Sequence, residues 1–207
     1  MWDNENLVKT LQGNGVVVMP TDTLYGIVGK AENKETVERI YELRKRSPDK
    51  PCIILIGNIN DLGKFGVVLT SGQEEKIKKI KEPTSFVLDC EGEKFEYLHR
   101  GTKTLAFRIP APKELQNLLK QTGPLVAPSA NMEAMPPSTN ITEARKYFGE
   151  EVDLVRNRPP EHESATVTSG RPVSNGVDLY IDGGEIVGKA SRVIKLQKDS
   201  AVSILRE

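Results

Sequence analysis

Short apolar runs along this chain alternate with polar stretches, and the period of the apolar positions changes from one stretch to the next. Val16 to Met19 is continuously apolar, as a buried strand is, and Pro20 ends it. Asn33 then has the position of an N-cap for a helix that places Val37, Ile40 and Tyr41 on one face. A basic loop, Arg44 to Lys50, leads into a second apolar strand, Cys52 to Ile56. Ser71 with Glu74 forms a capping-box signal for a helix carrying Ile77 and Ile80, and Thr84 to Asp89 follows as a strand. In Thr104 to Ile109 strict alternation puts Leu105, Phe107 and Ile109 on one face and Thr104, Ala106 and Arg108 on the other. A helix through Leu115, Leu118 and Leu119 stops at Gly123, and Leu125 to Ala127 runs as a strand into Pro128-Ser129-Ala130-Asn131. A last helix around Thr142 to Phe148 ends at Gly149, and Val193 to Leu196 is strand. Helices and strands intermingle without strict alternation, which predicts an α/β fold with a mixed, twisted sheet and helices packed on it.

At 207 residues the chain has the length of one ordinary domain and can bury a core without disulfide or metal staples. Residues 1–207 are therefore expected to form a single domain. The stretch at about 156–176, with Pro159-Pro160, Glu161 to Glu163 and Ser169-Gly170, has loop composition and reads as an insertion. Near-copies flank it, Glu151-Val152-Asp153-Leu154-Val155 and Gly176-Val177-Asp178-Leu179-Tyr180, too short to define a structural repeat.

Lys plus Arg and Asp plus Glu both total 29, so no global positive field draws the chain to nucleic acid, and any anion site must be built locally. The absence of a long apolar run and of a charged-then-apolar leader predicts a soluble, unexported protein with no membrane partner. Cys52 and Cys90, far apart in apolar runs, read as unpaired buried thiols, which fits a cytoplasmic location. His99 and His162 have no ligand-spaced neighbours, so no protein-bound metal is expected.

Four groups of residues could carry chemistry. Pro20-Thr21-Asp22-Thr23-Leu24-Tyr25-Gly26 ends a strand with hydroxyls, a carboxylate and a glycine. It could line a pocket with hydrogen-bonding groups or be an ordinary turn. Arg44-Lys45-Arg46 with Lys50 could grip phosphate, or simply complement the carboxyl end of the preceding helix. There is no G-x-x-x-x-G-K and no G-x-G-x-x-G, which excludes phosphate loops of those two classes. Arg108, in an otherwise apolar strand, needs an acceptor if buried: a structural carboxylate or a ligand. Ser129-Ala130-Asn131 offers a hydroxyl and an amide without charge, or is a helix-entry turn; Ser191-Arg192 and Arg206 are equally ambiguous.

Taken in this order, the motifs resemble those of the YrdC-like threonylcarbamoyl-AMP synthases. The family's P-T-D/E-T-x-Y-G is matched by Pro20 to Gly26, and its K-x-R-x-x-x-K/N-P by Arg44, Arg46, Lys50 and Pro51. Its R-I/V-P corresponds to Arg108-Ile109-Pro110 and its S-A-N to Ser129 to Asn131. The late strand motif and the terminal I-L-R look like Ala190 to Lys195 and Ile204 to Arg206. The resemblance implies a YrdC-like twisted mixed sheet with flanking helices around a deep concave cavity, positively charged. It implies that Thr23, Arg108, Ser129 and Ser191 hold L-threonine and its carbamate. By the same resemblance Arg44, Arg46, Lys50, Thr104, Asn131 and Arg206 surround ATP, with Arg46, Lys50 and Arg108 the catalytic group. The substrates would be ATP, L-threonine and bicarbonate, with Mg2+ carried on the ATP, and the product would pass to a transferase that modifies transfer RNA.

The chain departs from that pattern in places. Arg44 stands where the family usually has Lys, Leu55 where a histidine is common, and Lys195 where the late motif ends in Asp. Met132 to Ser138 replaces a serine- and glycine-containing stretch. Two other functions compete. One is a non-catalytic module for double-stranded RNA, against which the neutral net charge weighs. The other is a carbamoyl-adenylate domain of the hydrogenase-maturation type, which usually comes with zinc-finger cysteines that this chain lacks.

Overall fold

The computed structural model describes residues 1–149 and 176–207. Within them the strands β1 (Val17–Pro20), β2 (Tyr25–Lys30), β3 (Ile53–Leu55), β4 (Thr84–Asp89), β5 (Thr104–Arg108), β6 (Leu125–Val126), β7 (Leu179–Tyr180), β8 (Arg192–Leu196) and β9 (Val202–Arg206) form one sheet. Their order across it is β7-β1-β2-β6-β3-β5-β4-β8-β9. The pairs β1/β7, β3/β5 and β4/β8 are parallel and the others antiparallel, so the sheet is mixed, as the pattern of apolar runs predicted. The helices are α1 (Glu5–Gln12), α2 (Lys34–Arg44), α3 (Ser71–Lys79), α4 (Glu96–His99), α5 (Lys113–Thr122) and α6 (Ile141–Phe148).

Alternation along the strands sends neighbouring residues to opposite faces, and each face carries its own core. On one face Val18, Ile27, Ile54, Phe86, Phe107, Val126 and Ile194 pack under α2, α3 and α4. On the other, Val17, Met19, Val28, Leu55 and Leu125 meet Leu7 and Leu11 of α1 and Leu115, Leu118 and Leu119 of α5. These two helices cover only the β1 to β3 part of their face. Beyond them Ile53, Ala106, Val87, Arg108 and Val193 project on the same side with no helix above among the described residues, and the strands β3, β5, β4 and β8 form a floor there.

Most of the expected elements are present, with their ends shifted by a residue or so. The strand expected over Cys52 to Ile56 is Ile53–Leu55, and the one expected from Val16 begins at Val17. The capping box of α3 is one residue earlier than expected: Thr70 Oγ1 accepts from Gln73 N at 3.2 Å and Gln73 Oε1 from Thr70 N at 3.0 Å. Both registers satisfy the motif, and a tertiary bond selects one: Gln73 Nε2 donates to the Leu196 carbonyl at 3.1 Å. The insertion expected at 156–176 lies, except for Gly176, outside the described residues. Cys52 and Cys90 are free and buried. No helix among the described residues is long and apolar enough to cross a membrane.

Gly29 lets α2 lie directly on β2: a Cβ there would run into Thr36 Cγ2 and come within 3.1 Å of Ile40 Cδ1. Gly29→Ala is expected to lower stability by about 1–3 kcal/mol, the usual penalty for overpacking a closed interface. Urea unfolding at unchanged m-value is the check; an unchanged midpoint would mean that α2 moves aside at no cost.

Candidate active site

The bare part of the sheet is the floor of a cavity of about 480 Å³, within the range of small-molecule sites. Its walls come from the ends of elements rather than their middles. The β1–β2 turn supplies Thr21 and Thr23, the basic loop Arg46, the approach to β5 Thr102 and Thr104, the segment after β6 Ser129, and the last two strands Ser191 and Arg206. Among the described residues that line it there are three guanidinium groups, Arg46, Arg108 and Arg206, many hydroxyls and no carboxylate. The chemistry of such a wall is complementary to anions, and charges there are screened less than at an open surface.

Pro20 to Gly26 is both a turn and a wall. Thr21 closes the turn, donating its N–H and its hydroxyl to the Leu24 carbonyl at 2.9 and 2.7 Å. Thr23 thereby faces the cavity, and Asp22 points behind it to Arg108, with Oδ1 at 2.9 Å from Nη2. The Tyr25 hydroxyl donates to the Gly184 carbonyl at 2.8 Å and accepts from Gly183 N at 2.9 Å. Burial raises its pKa. This fastens the 181–190 segment over the turn, where a Cβ on Gly188 would strike the Thr23 carbonyl.

Arg108 stands between the two roles the sequence left open, since it both pairs with a carboxylate and lines the cavity. It is 4% exposed, and burial lowers its pKa while Asp22 opposes the shift. Arg206 reaches across from β9 and donates Nε and Nη2 to the Ser191 carbonyl at 3.1 and 2.7 Å. Ser191 shares a 2.9 Å hydrogen bond with Ser85. Arg46 is held by the loop that carries it: Nε donates to the Lys50 carbonyl at 2.9 Å and Nη2 to that of Pro51 at 3.0 Å. Tyr41 lies beneath, 5.8 Å from the Arg46 guanidinium, and its hydroxyl donates to the same Lys50 carbonyl at 2.8 Å. Thr104 lines the cavity, hydrogen-bonded to Thr102 at 3.2 Å.

Of the residues expected at the site, Thr23, Arg46, Thr104, Arg108, Ser129, Ser191 and Arg206 come together around the cavity, and Arg44, Lys50 and Asn131 are not among its lining. Lys50 is turned to Glu133, with Nζ at 2.5 Å from Oε1. Arg44 and Asn131 are buried against one another. Burial, with the neighbouring Arg46 charge, lowers the Arg44 pKa to about 10. Leu55 packs in the α1/α5 core and Lys195 lies outside the cavity lining, so neither departure from the family pattern alters the wall. Asp22, Tyr41 and Thr102 were not singled out as site residues. Asp22 was noted as the carboxylate of the Pro20 to Gly26 group without a role of its own, Thr102 precedes the strand read from Thr104, and Tyr41 had been assigned to a helix face.

A cavity lined by guanidinium groups over the open face of a twisted mixed sheet is the architecture the family resemblance implied. A family model, Sua5/YciO/YrdC, described as telomere recombination, matches residues 9–169, and the chain belongs to that family. A threonylcarbamoyl-AMP synthase of Bacillus subtilis (strain 168) is 32% identical over 136 residues, which are 62% of this chain and 38% of that protein. One of Nitrosococcus oceani is 26% identical over 156 residues, 74% of this chain and 84% of its own length. Among solved structures, P. abyssi Sua5 complexed with L-threonine superposes with a TM-score of 0.75 at 25% identity, over 96% of this chain and 52% of that one. E. coli YciO shares the fold, with a TM-score of 0.71 at 22% identity. The chain thus spans about half of the Sua5 protein and well under half of the B. subtilis relative.

Removing the partner of a buried charge is costly, so Asp22→Asn is expected to lower stability by about 3–5 kcal/mol. Chemical denaturation measures it. A midpoint equal to that of the wild type would show that Arg108 is satisfied from the cavity and not by Asp22.

Proposed function

We propose that this chain is an L-threonylcarbamoyladenylate synthase, converting L-threonine, bicarbonate and ATP into threonylcarbamoyl-AMP and pyrophosphate. The observation that carries this reading is the convergence of Arg46, Arg108 and Arg206 with Thr23, Thr104, Ser129 and Ser191 on one carboxylate-free cavity. The relatives named threonylcarbamoyl-AMP synthase and the Sua5 structure holding L-threonine support the choice of substrate.

In this reading the threonine carboxylate lies against Arg108, whose guanidinium has donors beyond the one directed to Asp22. Thr23, Ser129 and Ser191 surround the amino group and its carbamate. The amine takes up the carbon of bicarbonate, releasing water. An oxygen of the resulting carbamate then forms a bond to the α-phosphorus, and the bond from that phosphorus to the bridging oxygen breaks as pyrophosphate leaves. Arg46, Thr104 and Arg206 stand where charge moves onto the leaving group. Lys50 joins them by exchanging Glu133 for a phosphate oxygen. Catalysis is positioning and charge stabilisation, with no covalent intermediate on the protein. Magnesium would enter with the substrate, carried on the ATP phosphates; among the described residues the lining offers it no carboxylate. The setting is cytoplasmic, and the product passes to a transferase acting on transfer RNA.

Pyrophosphate release by the purified protein, with bicarbonate and magnesium, tests the reading when threonine, serine, carbamoyl phosphate and no acceptor are compared. Release that depends on both threonine and bicarbonate is expected; none with any acceptor would overturn it.

Arg46→Ala and Arg108→Ala should each lower kcat/KM by about a hundredfold or more, the usual effect of deleting a charged donor at a transition state. The first should act chiefly through ATP and the second chiefly through threonine. Wild-type turnover in either variant would remove that residue from its role.

A further inference from the structure

One buried cation of the basic loop has no place in the mechanism above. Arg44, the last residue of α2, is 3% exposed. Its guanidinium faces the Ser129–Asn131 turn, which lies 85 to 87 residues further along the chain. Nε donates to the Asn131 carbonyl at 2.9 Å, and Nη2 donates to Asn131 Oδ1 at 3.2 Å and to Ser129 Oγ at 3.4 Å. The Arg44 carbonyl accepts from Glu133 N at 2.9 Å. Asn131 is itself fully committed, since Nδ2 donates to the carbonyls of Met132 and Met135, both at 2.7 Å. Of these three residues only Ser129 lines the cavity.

A guanidinium donates and never accepts, so Ser129 Oγ is the acceptor of that bond. The hydroxyl keeps its own proton for another acceptor, and its open side is the cavity. We propose that Arg44 is a positioning residue of the amino-acid subsite, fixing the Ser129–Asn131 turn and presenting the Ser129 hydroxyl as a donor to an oxygen of the bound substrate, with no contact to phosphate. The inference rests on the proposed threonine and ATP chemistry. It also gives a physical sense to Arg at a position where Lys is usual. A planar fork meets Asn131 O, Asn131 Oδ1 and Ser129 Oγ together, whereas an ammonium on a flexible stem is a point donor that does not hold three acceptors of that arrangement.

The discriminating variant is therefore Arg44→Lys, which keeps the charge and restores the commoner residue. Threonine and ATP binding are measured separately by calorimetry on the wild type, R44K, S129A and the double variant, with a melting temperature for each. R44K and S129A are expected each to weaken threonine binding about tenfold, the size of one charge-assisted hydrogen bond. ATP binding stays within about twofold, and the double variant binds threonine no more weakly than the weaker single one, as residues acting through one contact do. Wild-type threonine affinity in R44K, a loss confined to ATP, or additive losses in the double variant would each overturn the inference. Should R44K lose its fold, Arg44→Gln, whose amide keeps one donor for Asn131, is read in the same cycle. A wild-type protein that binds neither threonine nor ATP would refute the proposed function and this inference with it, whereas wild-type binding with an indifferent R44K refutes the inference alone.

Discussion

A guanidinium on an interior strand of a broad sheet has to be neutralised, and much of the site follows from how Arg108 is. Burying an arginine costs several kcal/mol, on the order recovered only when a carboxylate and further donors or acceptors meet it. Here the carboxylate is Asp22, at 2.9 Å, from the turn between β1 and β2. That single contact ties the middle of the sheet to the turn that carries Thr23. Yet neither oxygen of Asp22 makes an aligned hydrogen bond, and Arg108 Nε has no partner. The pair is close but incompletely satisfied, which leaves Arg108 donors for an anion arriving from the cavity. A stability contact and a binding group are therefore combined in one side chain.

The cavity also depends on an imbalance between the two faces of the sheet. Helices α2, α3, α4 and α6 contribute to the core on one face; on the other, α1 and α5 stop over β3. Leu55 and Ile53 mark the border, two residues apart on the same side of one strand: Leu55 is sealed beneath α5, and Ile53 lines the cavity. Small side chains keep the floor low where it is open, Ala106 between Ile53 and Val87 across three strands. The walls then have to come from loops, which is why the polar groups reside on the turn after β1, the loop after α2 and the segment after β6.

The period of the apolar positions revealed more of the fold than of the site. Thr104, Ala106 and Arg108 were placed on one face by alternation alone, and Thr104, Ala106 and Arg108 do line the cavity together. Helix α1 was not anticipated, although Asn4 caps it and Leu7 and Leu11 are one turn apart; a single eight-residue stretch gives a weak signal. The edge strand β9 was legible only through its terminal motif, because all its residues are exposed and no burial pattern marks it. In the site, sequence spacing identified which cations were near one another but not which way they point. Arg44 ends α2 and Arg46 follows two residues later, and one turns inward to Asn131 while the other reaches the cavity. Between them Lys45 caps the end of α2 in the left-handed conformation, at a φ of 49°, a turn usually marked by Gly or Asn and so not signalled by a lysine.

That divergence bears on how a chain of zero net charge gathers positive charge in one cavity. The basic loop holds four cations within seven residues, and three of them are engaged by contacts within the protein. Arg44 is spent on the Ser129–Asn131 turn, Lys50 is paired with Glu133, and Arg46 gives two donors to its own loop. Arg46 also lines the cavity, together with Arg108 and Arg206. Fixing the cations in this way removes the side-chain entropy that free lysines would lose on binding, and it aims their charge before the ligand arrives. It also means that electrostatic complementarity is confined to the cavity, where a local cluster of guanidinium groups outweighs a neutral surface at the short range over which salt leaves charges unscreened.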